Sequence, residues 1–285
     1  MSETVRFFLL QTSLIGTVLI LHTYLGLHII RRTLIFSDLA LDQLAALGML
    51  VGIGLGIRYG SPISYLLAMA AVLFGAILLA VINPKRKAIP REAVIGILYM
   101  LALVLCLLLG DKLQGGANYL TKTLSGSMLW VTWPLVGITI FVYIVLMLFH
   151  YKFRHNFIAL VENPKTLKSE RLWDFLFFTT QGIITVLIVP IAGVLLAYVF
   201  LMIPAAIAAM FTKKWILAVV IGWTAGFVPC EIGLAGSYYL DLPYGPTLVL
   251  CLGLVFICAI ILRCLMKSRE KRASSLRKGH KKCYS

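Results

Sequence analysis

Apolar stretches long enough to cross a bilayer follow one another along almost the whole chain. A transmembrane helix needs about 20 such residues. Because 61% of the 285 residues are hydrophobic, 13% are charged and the mean hydropathy is +0.97, a water-soluble enzyme is excluded. The sequence predicts one all-α, polytopic membrane domain over residues 1–266, with about nine transmembrane helices. The predicted spans are residues 8–30, 37–57, 62–82, 92–110, 132–149, 173–190, 193–211, 215–237 and 245–265.

The sixth and seventh predicted spans are separated only by the short break from Pro190 to Gly193. Read as one straight helix at ~1.5 Å per residue, residues 173–211 would be nearly twice as long as the ~30 Å hydrocarbon core is thick. Two crossings fit this thickness and one does not. We therefore predict that the chain turns back at this break.

The distribution of basic residues predicts which side of the membrane each loop faces. The chain has 26 Lys and Arg against 11 Asp and Glu, and short cytoplasmic loops carry an excess of Lys and Arg. Nine spans with the N-terminus outside leave only Arg6, Arg58, Lys112 and Lys122 outside, whereas eight spans misplace a basic loop. We expect a cytoplasmic C-terminus, no nucleic-acid partner, and a basic, disordered tail over residues 267–285. A solvated tail is favoured over one that binds anionic lipid headgroups.

Two carboxylates stand one helical turn apart at the start of the second predicted span. Asp38 and Asp42 share one helix face. Acids inside a membrane are costly and usually face a polar pathway, so both are candidate ligands of a cation that crosses the membrane. The alternative for Asp38 is a helix cap that faces cytoplasmic water. Asp42 lies one turn deeper and is harder to explain in that way.

Other polar side chains also fall inside predicted spans. His22 in the first span and Glu231 in the eighth are further candidate metal ligands. Such side chains also serve as hydrogen-bond partners between helices, and the residues alone leave both interpretations open. The remaining polar groups of this kind are Gln11, His28 and Gln181.

Small residues recur on the helix that carries the two acids. Gly48, Gly52 and Gly56 are spaced every four residues, which favours the close approach of another helix. Residues 52–56 read G-x-G-x-G, but no strand precedes them and their surroundings are apolar, which excludes a phosphate-binding loop. The glycines therefore predict helix packing.

A polar segment between the fifth and sixth spans contains a short amphipathic helix. The predicted helix covers residues 154–162, and Asn163-Pro164 ends it. An apolar face on a cytoplasmic loop suits either the membrane surface or a groove on a partner protein. The sequence has neither a G-x-x-x-x-G-K-[ST] phosphate loop nor a G-x-S-x-G motif, so ATP-driven transport would require a second chain.

Several segments resemble the permease subunits of the zinc, manganese and iron ABC importers. The similarity covers nearly the whole chain before the tail, and its detail is greatest in the C-terminal third. The resemblance implies the fold of a type II ABC importer permease. The matching segments are Arg31-Arg32, residues 93–97, residues 124–129, Gly193-Val194-Leu195-Leu196, Pro204-Ala205-Ala206 and residues 233–247.

The resemblance implies a permease that imports a divalent metal ion (Mn, Zn or Fe) while a separate ATP-binding subunit hydrolyses ATP. It implies a homodimer in the bacterial plasma membrane, with an extracytoplasmic metal-binding protein as a further partner. The chain itself is then no enzyme and binds no cofactor. By position, residues 154–162 resemble the coupling helix that contacts the ATPase. The resemblance therefore favours a groove on a partner protein over the membrane surface as the site that binds this helix. The residues expected at this contact are Arg154, Phe157, Ile158, Ala159, Leu160 and Glu162.

The sequence departs from the family pattern at the start of the second span. The family commonly has Gly-Asp-Ala-x-x-His there, with the Asp and His lining the metal route. This chain has Ser37 in place of the glycine and Asp42 in place of the histidine. Asp38 matches the aspartate of the family pattern in both residue type and position. Asp42 matches the position of the histidine but not its residue type. Because a carboxylate is a harder ligand than an imidazole, the exchange favours manganese or ferrous iron over zinc.

Two other classes of protein also place acids inside a membrane. A self-contained secondary transporter or channel would couple the acids to protons or sodium, and it predicts transport by this chain alone. An intramembrane enzyme would use Asp38 and Asp42 like an aspartic protease dyad, although such dyads usually join two separate segments. The importer permease is therefore the favoured hypothesis, with the secondary transporter as its alternative.

Overall fold

A computed structural model describes residues 3–82, 89–126 and 131–282 of the protein, with side chains described up to residue 268 apart from residues 117 and 125. Every regular element within these residues is a helix, as the sequence predicts. Two predicted features lie outside the described residues, namely the basic loop with Lys85, Arg86 and Lys87 and residues 127–129 of one matching segment.

The described residues form ten α-helices. In chain order they are α1 (Glu3–Arg32), α2 (Phe36–Gly54), α3 (Pro62–Val81), α4 (Arg91–Lys112), α5 (Gly116–Ser125), α6 (Trp133–Lys152), α7 (Arg154–Glu162), α8 (Glu170–Phe211), α9 (Trp215–Tyr239) and α10 (Tyr244–Lys282). All except α5 and α7 are long and apolar enough to cross a membrane. The stretch of α10 that meets this criterion ends at Ser268, and the expected disorder of residues 267–285 stays a prediction.

The longest helix, α8, folds back on itself and crosses the bundle twice. Its backbone leaves the helical conformation at Gly193, where φ is 78° and ψ is 161°. Near its start, Asp174 pairs with Arg32, and just beyond its end the carbonyl of Lys213 accepts a hydrogen bond of 3.0 Å from Arg31. Since Arg31 and Arg32 are neighbours at the end of α1, both ends of α8 lie on the same side of the bundle. Within the described residues, the eight long helices therefore traverse the bundle nine times, which agrees with the nine predicted spans.

The turn in α8 requires a glycine. Gly193 has a positive φ, which L-residues with side chains rarely adopt. A Cβ atom at this position would also collide with the carbonyl oxygen of Leu124 and the backbone nitrogen of Gly126, at the end of α5. The short helix α5 thus covers the turn at the end of the bundle opposite Arg31 and Arg32.

Basic residues gather at one end of the bundle, which we call the basic side. Arg31, Arg32, Arg91 and Lys213 lie at this end, together with α7. The opposite end, the far side, holds α5 and the contact between the rings of Tyr59 and Tyr119. This separation agrees with the predicted loop arrangement, and the assignment of the basic side to the cytoplasm stays a prediction.

The glycines of α2 pack against α3, as the sequence predicts for the first two of them. A Cβ atom on Gly48 would stand only 2.6 Å from the carbonyl oxygen of Leu67. A Cβ atom on Gly52 would stand 3.2 Å from the side chain of the same leucine. Gly56 differs, because it follows the helix with a φ of 78°, and a Cβ atom built on it would contact none of the described residues beyond its chain neighbours within 4 Å. At Gly48 the backbones of α2 and α3 therefore approach each other closely.

Replacing Gly48 by alanine should destabilise the protein. The added methyl group meets backbone atoms that cannot rotate away, so we expect a loss of about 1–3 kcal/mol in the free energy of unfolding. Gly137→Ala is the matched control, because a Cβ atom on this helical glycine would contact no described residue outside the adjacent backbone of its own helix within 4 Å. Thermal unfolding in detergent, followed by tryptophan fluorescence, measures both variants. Equal unfolding temperatures for the two would contradict the assigned packing.

Candidate metal-ion site

The two carboxylates of α2 are buried inside the bundle. A short connection joins α1 to α2, and the hydroxyl of Ser37 fixes its end by donating to the carbonyl of Leu34 at 2.7 Å. Asp38 and Asp42 then stand on the first two turns of α2, with 3% and 1% of their surface exposed. This burial shows that a water-facing helix cap is the wrong interpretation of Asp38. We refer to these two residues as the acid pair.

Helix α8 provides the polar side chains that face the acid pair. The amide nitrogen of Gln181 donates a hydrogen bond of 2.8 Å to a carboxylate oxygen of Asp38. One turn further along α8, Thr185 lies beside Asp42 and is buried. Although Thr185 is close to Asp42, neither oxygen of this carboxylate receives a hydrogen bond of good geometry from the residues that the structure describes.

The unpartnered atoms at this site are all oxygen acceptors. Both carboxylate oxygens of Asp42 and the amide oxygen of Gln181 are buried without a hydrogen-bond partner. Leaving such groups unsatisfied is costly, and a carboxylate costs more than a neutral amide. Oxygen donors with excess negative charge suit a hard divalent cation. No group of three or more His, Cys, Asp and Glu side chains in the described part of the chain is arranged to hold a metal.

His22 of α1 belongs to the surroundings of the acid pair. Its ring stacks on the ring of Tyr143 from α6 at a centroid distance of 5.9 Å, and the Tyr143 hydroxyl lies 3.4 Å from the ring nitrogen Nδ1. The same nitrogen lies 3.0 Å from the carbonyl oxygen of Val18. Tyr143 in turn is close enough to Asp38 to interact with its charge. Tyr143 therefore links His22 to the neighbourhood of the acid pair.

Glu231 lies elsewhere in the bundle. It is on α9 and accepts a hydrogen bond of 2.8 Å from the hydroxyl of Thr12 on α1. At ~1.5 Å per residue, Thr12 is displaced ~15 Å along α1 from His22, toward the far side. The structure therefore does not bring Glu231 to the acid pair, and its polar contact joins α1 to α9.

The short helix α7 is amphipathic, and two of its expected contact residues face inward. Phe157 and Leu160 are 0% and 4% exposed. The ring of Phe157 stacks on that of His150 at 4.1 Å and contacts the edge of Trp173 at 5.5 Å. Phe157 and Leu160 therefore anchor α7 to the bundle.

The remaining expected residues of α7 lie on its outer face or at its end. Arg154 and Glu162 are exposed, and Ile158 and Ala159 are half-buried. A carboxylate oxygen of Glu162 accepts a hydrogen bond of 3.3 Å from the indole of Trp215. The outer face therefore remains available for contact with another molecule.

Sequence reasoning missed Thr185 and Tyr143. Both are moderately polar residues in apolar helices, and hydropathy gives them no distinct signal. Thr185 follows Gln181 by four residues, so its position on the same helix face was available from the spacing. The contact of Tyr143 with His22 joins helices that are distant in sequence, and no local pattern predicts it.

Comparison with known proteins identifies relatives over most of the chain. A probable metal transport system membrane protein of Chlamydia trachomatis serovar D is 26% identical over 224 residues, which are 75% of each chain. The manganese transport system membrane protein MntC of Listeria monocytogenes is 28% identical over 214 residues, or 71% of this chain and 75% of that protein.

A solved structure has the same fold. It is PsaBC from Streptococcus pneumoniae in complex with Fab, matched with a TM-score of 0.73 over 90% of this chain and 91% of the other, at 19% identity. The profile of the ABC 3 transport family matches residues 4–263, which confirms the resemblance found in the sequence. The chain belongs to the ABC 3 transport family.

Proposed function

We propose that this chain is the permease subunit of an ABC importer that carries a divalent metal ion across a bacterial plasma membrane. The observation behind this proposal is the buried acid pair, in which no donor from the described part of the chain reaches either oxygen of Asp42. A cation that passes between the helices would supply the missing positive charge. The names of its relatives, which include metal and manganese transport proteins, support a metal ion as cargo.

The donor atoms favour manganese or ferrous iron over zinc. Around the acid pair they are carboxylate, amide and hydroxyl oxygens, contributed by Asp38, Asp42, Gln181 and Thr185. Oxygen ligands suit hard cations, while zinc gains more from imidazole and thiolate. The family's histidine would add one imidazole, and in this chain Asp42 replaces it.

The acid pair performs two physical tasks in this mechanism. It compensates part of the hydration that the ion loses inside the membrane, and it binds weakly enough for the ion to leave again. Two carboxylates with few other protein ligands meet both requirements. The close packing of α2 on α3 at Gly48 then lets these helices shift together as rigid bodies when the transporter changes state.

Import requires partners, and each of them is part of the proposal. ATP binds and is hydrolysed on a separate ABC subunit, since this sequence has no phosphate-binding loop. Two copies of the chain form a homodimer, and an extracytoplasmic metal-binding protein delivers the ion on the far side. The N-terminus lies outside and the basic side faces the cytoplasm.

The outer face of α7 is the proposed contact with the ATPase. Arg154, Ile158, Ala159 and Glu162 are accessible there to different degrees. Phe157 and Leu160 are buried within the chain and instead transmit movement of α7 into the bundle. This division of roles separates binding of the ATPase from the stability of the chain itself.

Replacing Asp42 by asparagine should reduce metal uptake at least about tenfold. The amide keeps the size of the side chain but loses the negative charge that attracts the cation. We expect assembly with the ATPase to be unchanged, because Asp42 lies inside the bundle, away from α7, and asparagine has nearly the same size. The measurement is ATP-driven manganese uptake into proteoliposomes that contain the assembled transporter and its metal-binding protein.

Asp111→Asn is the matched control for this experiment, because the Asp111 side chain is 75% exposed and pairs with its neighbour Lys112 at the surface. Its uptake should equal that of the unmodified chain. Unchanged uptake in Asp42→Asn would remove Asp42 from the route. Uptake by this chain alone, without ATPase or ATP, would support the secondary-transporter alternative instead.

Replacing Asp42 by histidine should shift the selectivity toward zinc. The substitution restores the residue that is common in the family at this position and exchanges a hard ligand for a softer one. We expect the ratio of zinc to manganese uptake, measured in competition, to rise several-fold. A ratio that stays unchanged would mean that Asp42 does not contact the ion directly.

Two substitutions in α7 should separate binding from stability. Ile158→Glu places a charge on the outer face and should abolish co-purification of the ATPase without lowering the unfolding temperature of the chain. Phe157→Ala leaves a cavity beside His150 and Trp173 and should cost about 3–5 kcal/mol in the free energy of unfolding. If Ile158→Glu still binds the ATPase with full affinity, α7 is not the docking site.

A further inference from the structure

Two guanidinium groups share one buried carboxylate at the basic side of the bundle. Asp174 of α8 is 0% exposed, pairs with Arg32 of α1, and accepts a hydrogen bond of 3.0 Å from Arg91 of α4. Arg91 also donates to the carbonyl of Leu79 near the end of α3, at 2.6 Å. We call Arg32, Arg91 and Asp174 the ionic cluster. It holds four membrane-spanning helices together at one point.

The ionic cluster lies in line with the acid pair on one face of α8. Asp174, Phe178 and Gln181 are separated by four and then three residues, so they form one row along the helix. At ~1.5 Å per residue, Asp174 stands ~10 Å from Gln181, toward the basic side. Phe178 lies between them and is 0% exposed. Its ring centroid is 5.6 Å from the guanidinium of Arg91 and 6.0 Å from that of Arg32.

This arrangement opposes the movement of a cation from the acid pair to the basic side. An ion leaving Asp38 in this direction first meets the apolar ring of Phe178. It then meets two guanidinium groups that remain charged and share the carboxylate of Asp174, so the three side chains of the ionic cluster carry a net charge of about +1. Inside a bundle of low polarity such a charge repels a divalent cation strongly.

A cavity of about 330 Å³ lies directly beyond the ionic cluster. Arg32 and Arg91 line one part of it, and Leu160 and Val161 of α7 line another. The helix that is proposed to contact the ATPase is therefore also a wall of the space next to the guanidinium groups. Two acidic residues, Glu92 and Glu170, line the same cavity.

We propose that Phe178 and the ionic cluster form the basic-side gate of the cation route, and that movement of α7 opens this gate. The inference rests on the proposed function, since it requires a cation at the acid pair. In the closed state, Asp174 holds both guanidinium groups across the route. Glu170 already interacts electrostatically with Arg32, and Glu92 accepts a hydrogen bond from the backbone nitrogen of Phe36. When α7 moves, these two acids replace Asp174 as the main partners of the guanidinium groups, and the ion passes into the cavity.

The gate is tested by measuring the leak of manganese in the absence of ATP. Arg91→Gln removes the excess positive charge and the hydrogen bond to α3, while the pair of Arg32 with Asp174 remains. Phe178→Ala removes the apolar ring. We expect either substitution to raise the ATP-independent leak of manganese through the assembled transporter in proteoliposomes at least about tenfold.

Two control variants separate gating from general damage. Arg171→Gln removes an exposed charge one turn from Asp174 on the same helix and should leave the leak unchanged. Arg91→Lys keeps the charge and should also keep the leak low. If Arg91→Gln and Phe178→Ala transporters assemble, hydrolyse ATP and leak no more than the unmodified one, the gate is refuted. If the Arg91→Gln transporter fails to assemble, the leak of the Phe178→Ala transporter decides whether the gate is supported or refuted.

A labelling experiment distinguishes failure of the gate from failure of the proposed function. Thr185→Cys, in a chain whose native cysteines are replaced by serine, reports access to the acid pair. A membrane-impermeant thiol reagent added at the basic side should modify it faster when Phe178 is alanine. An unmodified transporter without ATP-driven manganese uptake overturns the proposed function, whereas equal labelling rates with and without Phe178→Ala overturn the gate.

Discussion

The burial of two carboxylates in an apolar bundle is the constraint on which the rest of this structure depends. An ionised carboxylate inside a membrane protein needs either hydrogen-bond donors or a positive charge. Gln181 supplies one donor to Asp38, and the packing around Asp42 supplies none. The helix that carries both acids is held closely at Gly48, so the carboxylates cannot turn away toward water. The bundle therefore holds two carboxyl groups at fixed positions, with fewer donors around them than an ionised pair requires.

The reversal of α8 determines which groups surround that charge. Because the chain turns at Gly193, a single element contributes two antiparallel halves to the core. The first half carries Gln181 and Thr185 toward the acids. The second half packs so closely on α1 that a Cβ atom on Gly26 would overlap the backbone at Leu201. A residue with a side chain at the turn would disturb both the contact of the first half with the acids and the contact of the second half with α1.

The parts of the fold that depend on local pattern could be predicted from the sequence. Hydropathy and basic loops define the crossings, and the length of residues 173–211 alone requires the reversal in α8. Asp38 and Asp42 stand out because acids are rare in apolar spans. Contacts between distant segments could not be predicted from local pattern. Asp174 is an example, because an acid near the boundary of a predicted span is common, yet Asp174 is fully buried. Over the nine residues of α7, too few turns were available to separate inward-facing from outward-facing positions.

One face of α8 carries partners for both the acid pair and the guanidinium groups. Gln181 donates to Asp38 of the acid pair, and Asp174, two turns away, pairs with Arg32 and Arg91. A shift of α8 changes both contacts together, since the helix between them is continuous. In the proposed importer, a cation at the acid pair and an ATPase at α7 would each favour particular positions of α8. Linkage then requires that each of them alters the affinity of the chain for the other by the same factor.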